Sequence, residues 1–373
     1  MAEMVLFLAS PAGSRPIHLR QHDCPLSARA ADPNFCRMTT APPATRSLVD
    51  AHGRTIRYLR ISVTDRCDLR CRYCMAETMT FLPRSQVLSL EEIAVIAERF
   101  IERGVDKIRL SGGEPLVRRD VTELVRRLGS HVGRGLQELT MTTNGTRLRD
   151  HAPALVDAGM RRINVSMDTL DPDTFRFITR HGDVATVIDG ILAARDAGLA
   201  VKINMVALKG LNEDHIAPML AWCVDNGLDL SLIETMPLGA IDEDRTDRFL
   251  PLTGVFDRLS TRFELVRDGH RSGGPARYWR VGSSVTRLGL ISPLTANFCD
   301  GCNRVRLTTE GKLYMCLGHD DQVDLKAALR EGGLAAVDAA IDIGLAEKPA
   351  AHDFRIGAGE GPAVARHMSV TGG

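Results

Sequence analysis

From Arg57 onward the chain alternates between short runs of strand character and longer stretches with helical spacing of apolar residues. Strand-like runs fall at Arg57–Thr64, Lys107–Ser111, Gln137–Thr142, Arg162–Asp168, Val201–Ala207 and Leu228–Glu234. Between them, Ser89–Arg103 and Asp120–Leu128 each open with a capping-box pair, Ser89 with Glu92 and Asp120 with Glu123. Asp183–Ala197 and Glu213–Asn226 repeat apolar residues at helical spacing and end at Gly198 and Gly227, suited to C′ positions. Six β–α units in succession predict a parallel sheet with right-handed crossovers.

The strand faces narrow this further, because residues two apart share a face. Leu59, Ile61 and Val63 oppose Tyr58, Arg60, Ser62 and Thr64; Ile108 and Leu110 oppose Lys107, Arg109 and Ser111. Leu139 and Met141 oppose Thr140, Thr142 and Asn144; Ile163, Val165 and Met167 oppose Arg162, Asn164, Ser166 and Asp168; Val201, Ile203 and Met205 oppose Lys202 and Asn204. A parallel strand covered on both faces by helices reads almost continuously apolar. Five strands with one polar face each predict a sheet curved around a wet, ligand-filled lumen, unlike the apolar interior of a closed eight-stranded barrel.

After Pro237 the rhythm stops. Gly239–Arg248 is acidic and loop-like, and strand-like pieces follow near Phe263–Val266, Ala276–Val281 and Leu288–Ile291, with helices near Asp324–Arg330 and Leu334–Asp342. The chain thus divides into an extension at 1–50, a β–α region at 51–236 and an α+β region at 237–373. The extension is rich in Pro, Ala, Arg and Ser and has too short an apolar patch, Val5–Ala9, for a signal peptide. It reads as disordered, or as the result of a start placed upstream of Met38.

At 373 residues, 44% hydrophobic and 25% charged, the composition is that of a globular protein. The 47 basic and 47 acidic side chains cancel, so no long-range field for nucleic acid is expected, and an anionic ligand would need local arginines and lysines. No apolar run approaches the ~18 residues of a membrane span. A cytoplasmic protein is expected. Of nine cysteines, six form two triads, which points to metal or cofactor ligation over disulfides; Cys24, Cys36 and Cys223 are scattered, and Cys223 suits a buried helix position.

Cys67, Cys71 and Cys74 stand at C-x3-C-x2-C spacing after the first strand. Cubane iron–sulfur clusters ordinarily take four thiolates, so three leave one iron open. A zinc site would want a fourth ligand, which is not near in sequence. Cys299, Cys302 and Cys316, at C-x2-C-x13-C, could close a zinc site with His319 or hold a second open cluster. Arg304 and Arg306 follow on one face of an extended segment, and with Arg60, Lys107, Arg109 and Lys202 they could build a cationic pocket for a triphosphate. There is no P-loop.

The first triad with Tyr73 before its last cysteine, and Gly112–Pro115 (Gly-Gly-Glu-Pro) ending the second strand, resemble the radical S-adenosylmethionine (SAM) superfamily. The second triad, the Cys-Asn-Arg-Val-Arg run and the terminal Gly372–Gly373 resemble, within it, the GTP 3′,8-cyclase family of molybdenum cofactor biosynthesis, from about Leu59 to Gly373. The resemblance implies a partial (β/α)6 barrel closed on its open side by the C-terminal domain, with a [4Fe-4S] cluster at each end: SAM on the first, GTP on the second. It implies SAM contacts at Tyr73, Gly113, Ser166 and Met236, and GTP contacts at Arg60, Arg109, Thr142, Lys202, Arg304 and Arg306, with Arg304, Arg306, Gly372 and Gly373 completing catalysis. It further implies a low-potential electron donor and handover of product to cyclic pyranopterin monophosphate synthase; homodimerisation is left open. Ser231 stands where many members carry arginine, leaving Arg162 and Arg287 as candidates to replace it.

Overall fold

The computed structural model describes residues 47–239, 241, 245–357 and 361–372, so Cys24, Cys36, Met38 and Gly373 lie outside the described residues. Six parallel strands follow one another in chain order: β1 (Tyr58–Ser62), β2 (Lys107–Ser111), β3 (Glu138–Thr143), β4 (Arg162–Ser166), β5 (Ala200–Ala207) and β6 (Asp229–Glu234). The helices between them are α1 (Leu90–Glu102), α2 (Val121–Gly129), α3 (Leu148–Asp157), α4 (Pro172–Thr179), α5 (Val184–Asp196) and α6 (Ile216–Asn226). One face of each strand supplies Leu59, Ile61, Ile108, Leu110, Leu139, Met141, Ile163, Val165, Ile203, Leu230 and Leu232 to a single core with the helices. The polar faces point the other way, as the strand parity requires.

Local signals explain most helix starts. Ser89 accepts the Glu92 amide while Glu92 answers the Ser89 amide, a complete capping box on α1. Asp183 caps α5 through the Ala185 and Thr186 amides. The capping box expected for α2 is not made: Asp120 has φ 61° and its side chain caps nothing, since an N-cap side chain reaches the first-turn amides from an extended backbone.

The region after Pro237 adds α7 (Leu252–Ser260), β7 (Leu265–Asp268), β8 (Arg277–Val281), β9 (Arg287–Ile291), β10 (Arg304–Leu307), β11 (Lys312–Tyr314), β12 (Gln322–Asp324) and α8 (Leu325–Ala346), the last broken at Gly333. Its strands join the same sheet at both edges, in the order β12-β11-β10-β1-β2-β3-β4-β5-β6-β9-β8-β7. Both new junctions, β10 with β1 and β9 with β6, are parallel. The polar face therefore continues past both ends of the six-stranded unit. Separate from the main core, Leu238, Phe354 and Val364 form a small second core with Met236 and Met368 against it. There the chain end pairs with the segment after β6 through Gly239 N–H to Val364 O and Ala363 N–H to Pro237 O, both 2.9 Å.

Candidate active site

The first cysteine triad leaves the sheet on a loop after β1, and the turn after β2 holds that loop. The Gly113 and Glu114 amides donate to Thr64 O and Arg66 O, each at 2.8 Å. A Cβ at Gly112 or Gly113 would lie 2.4 Å from Thr64 O or 2.3 Å from Arg66 O, so the diglycine is what lets the two backbones meet. Glu114 is fully buried and accepts from Leu116 N–H (3.0 Å), Asn144 N–H (2.6 Å) and the Thr143 hydroxyl (2.7 Å). Asn144 in turn donates to Asp68 at 2.7 Å and lies 3.8 Å from the Cys67 sulfur. From α4, the carbonyls of Thr179 and Ile178 receive the Arg70 and Arg72 amides.

The three thiols face a cavity of about 180 Å³ shared with Tyr73, Ser111, Gly113, Thr142, Ser166 and Met236. Burial, with Glu114, Cys74 and Asp68 nearby, pushes the Cys67 thiol up to about 12. Burial raises Cys71 as well. Half-buried thiols held high in this way become thiolates only beside strong positive charge, which a cluster iron would supply. The Tyr73 hydroxyl donates to Asp168 at 2.8 Å, and burial lifts the Asp168 carboxyl to about 6 despite that bond and one from Val206 N–H.

Sheet register builds the second half of the site. Arg60 in β1 sits opposite Arg306 in β10 on one side and Arg109 in β2 on the other, so three guanidinium groups stand in one row. Tyr58, one pleat earlier, faces Arg304 and Lys107. Like charges directly opposite one another destabilise a sheet, and here they are also buried. Burial, then Arg306, holds Arg60 well below its usual value, and burial with Arg304 brings Arg306 down to about 10. Tyr58 reports the same field. Burial would raise its phenol, but Arg109, Arg60, Lys107 and Arg304 bring it down to about 8.

Arg60, Arg109, Arg304 and Arg306 line a second cavity, about 150 Å³, with Asn164, Lys202, Asn204 and the other triad, Cys299, Cys302 and Cys316. Asn204, Ile233, Met236 and Met368 line both cavities, which makes them two chambers of one lumen. The second triad has a different setting from the first. Burial raises Cys302, but Arg304 and Lys348 outweigh it and bring the thiol to about 7. Lys348 Nζ lies 3.7 Å from the Cys302 sulfur, and Arg54 donates to the Cys299 carbonyl at 3.0 Å.

The chain end threads this lumen. Arg306 donates to Gly372 O at 2.7 Å, and a Cβ on Gly372 would lie 2.1 Å from the Ser111 hydroxyl. Lys107 is held by Glu138 at 2.6 Å and lies over the Tyr58 ring, outside the cavity lining. Thr142 lines the first chamber and not the second. Ser231 is buried beside Gly289 with no hydrogen-bond partner among the described residues. Neither expected substitute reaches it as a free base: Arg162 is bound by Glu138 and Arg287 by Asp268. Strand parity had placed Asn164 and Asn204 on the polar face without marking them as site residues. For Tyr278, which accepts from Lys202 Nζ at 3.2 Å, and for Arg54 and Lys348 the sequence carries no signal, because each reaches the site only through tertiary packing.

Buried polar atoms with no partner among the described residues gather here: Arg109 Nε, Thr142 Oγ1, Asn164 Oδ1 and Ser231 Oγ. Such atoms cost about 1–3 kcal/mol each, so the lumen is shaped for polar occupants. Among the described residues, no three His, Cys, Asp or Glu side chains converge as around a single ion, and His319 is bonded to Ala351 O instead. A tetrahedral zinc at about 2.3 Å from each sulfur would draw thiolates to within roughly 4 Å of one another.

Comparison with known proteins agrees in order and extent. Residues 61–223 match the radical SAM superfamily and residues 228–354 match the family described as Molybdenum Cofactor Synthesis C. A GTP 3′,8-cyclase of Erythrobacter litoralis is 57% identical over 331 residues, 88% of this chain and 100% of that protein. One from Rhizobium meliloti is 56% identical over 341 residues, 90% of this chain and 95% of the other. Among solved structures, Streptococcus suis SuiB bound to S-adenosylmethionine aligns with TM-score 0.52 at 16% identity, over 72% of this chain and 62% of that one, a likeness of fold alone.

Proposed function

The chain belongs to the GTP 3′,8-cyclase family of the radical SAM superfamily, and on that premise we propose how its lumen carries out the conversion of GTP to (8S)-3′,8-cyclo-7,8-dihydro-GTP, the first step of molybdenum cofactor biosynthesis. The observation that carries the reading is the buried row Arg306–Arg60–Arg109 beside Lys202, in a lumen with a cysteine triad at either end. A tetra-anionic triphosphate relieves the mutual repulsion of that row, so the same residues that destabilise the empty sheet bind the substrate.

Cys67, Cys71 and Cys74 would hold a [4Fe-4S] cluster, which when bound would supply the single electron for reductive cleavage of SAM to methionine and a 5′-deoxyadenosyl radical. Tyr73, Gly113, Ser166 and Met236 wall the chamber around SAM. Cys299, Cys302 and Cys316 would hold a second cluster, whose open iron would offer an anchor for the guanine, with Arg60, Arg109, Lys202, Arg304 and Arg306 placed for the phosphates. Anchoring GTP at both ends fixes ribose C3′ for hydrogen abstraction and guanine C8 for attack, an effect of orientation and not of added reactivity. Gly372, fixed by Arg306, closes the lumen. The small core at Leu238, Phe354 and Val364 keeps water from a reactive carbon radical. The product passes to cyclic pyranopterin monophosphate synthase, and the protein acts in the cytoplasm.

Anaerobic reconstitution followed by incubation with SAM, GTP and dithionite tests this. 5′-Deoxyadenosine should rise with GTP and stay low with Arg306→Ala; formation independent of GTP would overturn the substrate assignment.

A further inference from the structure

Under the proposed function, each turnover requires an electron from outside the lumen to reach the group on the first triad, and a docking site for its donor rests on that reading. A cavity of about 640 Å³ opens on another side of the loop that carries this triad. Its walls are Val63–Arg66, which run into Cys67, part of the segment 82–89, and Val117–Arg119 beyond the Gly-Gly-Glu-Pro turn, with Arg330 from α8 at the rim. Consecutive Cα atoms are about 3.8 Å apart, so the wall at Arg66 is one residue from a cluster ligand.

The groove is basic in a chain whose charges cancel overall. Arg66, Arg84, Arg118, Arg119 and Arg330 line it, against one carboxylate in the wall, Asp65, which is buried and accepts the Leu82 amide at 2.7 Å. Glu92 holds Arg330 and Asp120 lies 3.3 Å from Arg119, while Arg66, Arg84 and Arg118 form no ion pair among the described residues. Arg118 donates to backbone carbonyls of Val63 and Leu88, which fix its position without a direct carboxylate partner, Glu91 acting on it only at longer range. Arg66 is spread over the Phe81 ring, with Arg70 beside it on the same ring.

We propose that this groove is the docking surface for an acidic one-electron carrier protein that reduces the group on the first triad. The carrier loses one electron and the cluster gains it; no atom or proton is exchanged. Electron-transfer encounters are weak and bury little surface, typically under about 1,200 Å². Opposite charge then governs their rate, by about 10- to 1,000-fold at low ionic strength. A groove lined by five arginines and one wall carboxylate, against the cluster loop, meets that need.

The test uses the reconstituted full-length protein and reduced flavodoxin as the acidic probe, with cluster bleaching followed anaerobically by stopped flow. Dithionite, which needs no docking, is the control. Reduction by flavodoxin should slow at least tenfold between 50 and 500 mM NaCl, and at least tenfold at low salt in R84E/R119E, while R84K/R119K stays near wild type. Dithionite should reduce all three proteins alike. Unchanged flavodoxin rates in R84E/R119E, insensitivity to salt, or a wild type that accepts electrons from dithionite but not from flavodoxin would each overturn the proposal. Failure of dithionite to bleach wild type would instead overturn the cluster reading beneath it.

Discussion

Removing the Glu114 carboxylate should destabilise the protein by an amount that shrinks as pH rises. In Glu114→Ala three buried donors, the Leu116 and Asn144 amides and the Thr143 hydroxyl, lose their acceptor. At about 1–3 kcal/mol for each unsatisfied group, partly relieved by water entering the void, the loss is on the order of 3–6 kcal/mol. Wild type also bears a cost of its own, since burial lifts the Glu114 carboxyl from 4.5 to about 7. Below pH 4.5 the group is protonated both folded and unfolded, and that cost is absent. Between pH 4.5 and 7 only the unfolded chain ionises, so folding stability falls by roughly 3 kcal/mol and is flat above. Alanine abolishes this slope. Urea unfolding of the metal-free protein at pH 5.5 and 8 should therefore show a larger wild-type-to-variant difference at pH 5.5, by about 2 kcal/mol after allowing for the part already titrated. Because Asn144 links Glu114 to Asp68 and the Cys67 sulfur, iron incorporated at the first triad should also fall. Equal destabilisation at the two pH values, or a larger one at pH 8, would refute the assignment of Glu114 as a buried carboxylate holding the loop.

Gly372→Val places a side chain against the Ser111 hydroxyl at a backbone φ of 77°, so the tail should leave the lumen; kcat should drop at least tenfold with the melting temperature changed by no more than a few degrees. Cys299→Ser should lower iron after reconstitution from about eight to about four per chain, and GTP should no longer perturb the EPR spectrum of the remaining cluster as it does in wild type. Tyr73→Phe takes from Asp168 a donor that favours its ionised form. Above pH 6 the variant should be less stable by about 1–2 kcal/mol, and the difference should shrink as pH falls below 6 and Asp168 protonates; a constant difference would show that Asp168 is not the group involved.

Much of the scaffold was legible from local pattern. The period of two in β1 to β5 sorted each strand into a core face and a lumen face, because a helix-covered sheet with a wet interior permits no other arrangement. Capping at Ser89 was readable for the same reason, its partner being three residues on. Asp120 had the same spelling and a different outcome, since its left-handed backbone turns the side chain from the amides it would cap. The edges of the sheet were not legible. Short runs such as Arg304–Leu307 carry no mark of the strand they will join, and parallel pairing of β10 with β1 spans more than two hundred residues.

The sequence by itself determined the ingredients: two triads of thiols at spacings suited to open clusters, six strands of which five show one polar face, and basic residues at alternating positions along them. Those come from covalent order and the geometry of a single strand or turn. Only the tertiary structure decided which of these residues act together. Register between distant strands put Arg306, Arg60 and Arg109 in one row, packing delivered Lys348 and Arg54 to the second triad, and the chain end came to rest against Ser111. Lys107, which looked equivalent to Arg109 from its place on the same strand face, was instead matched by Glu138 one strand away. A side chain's chemistry is local, but whether its charge is cancelled depends on neighbours that only folding supplies.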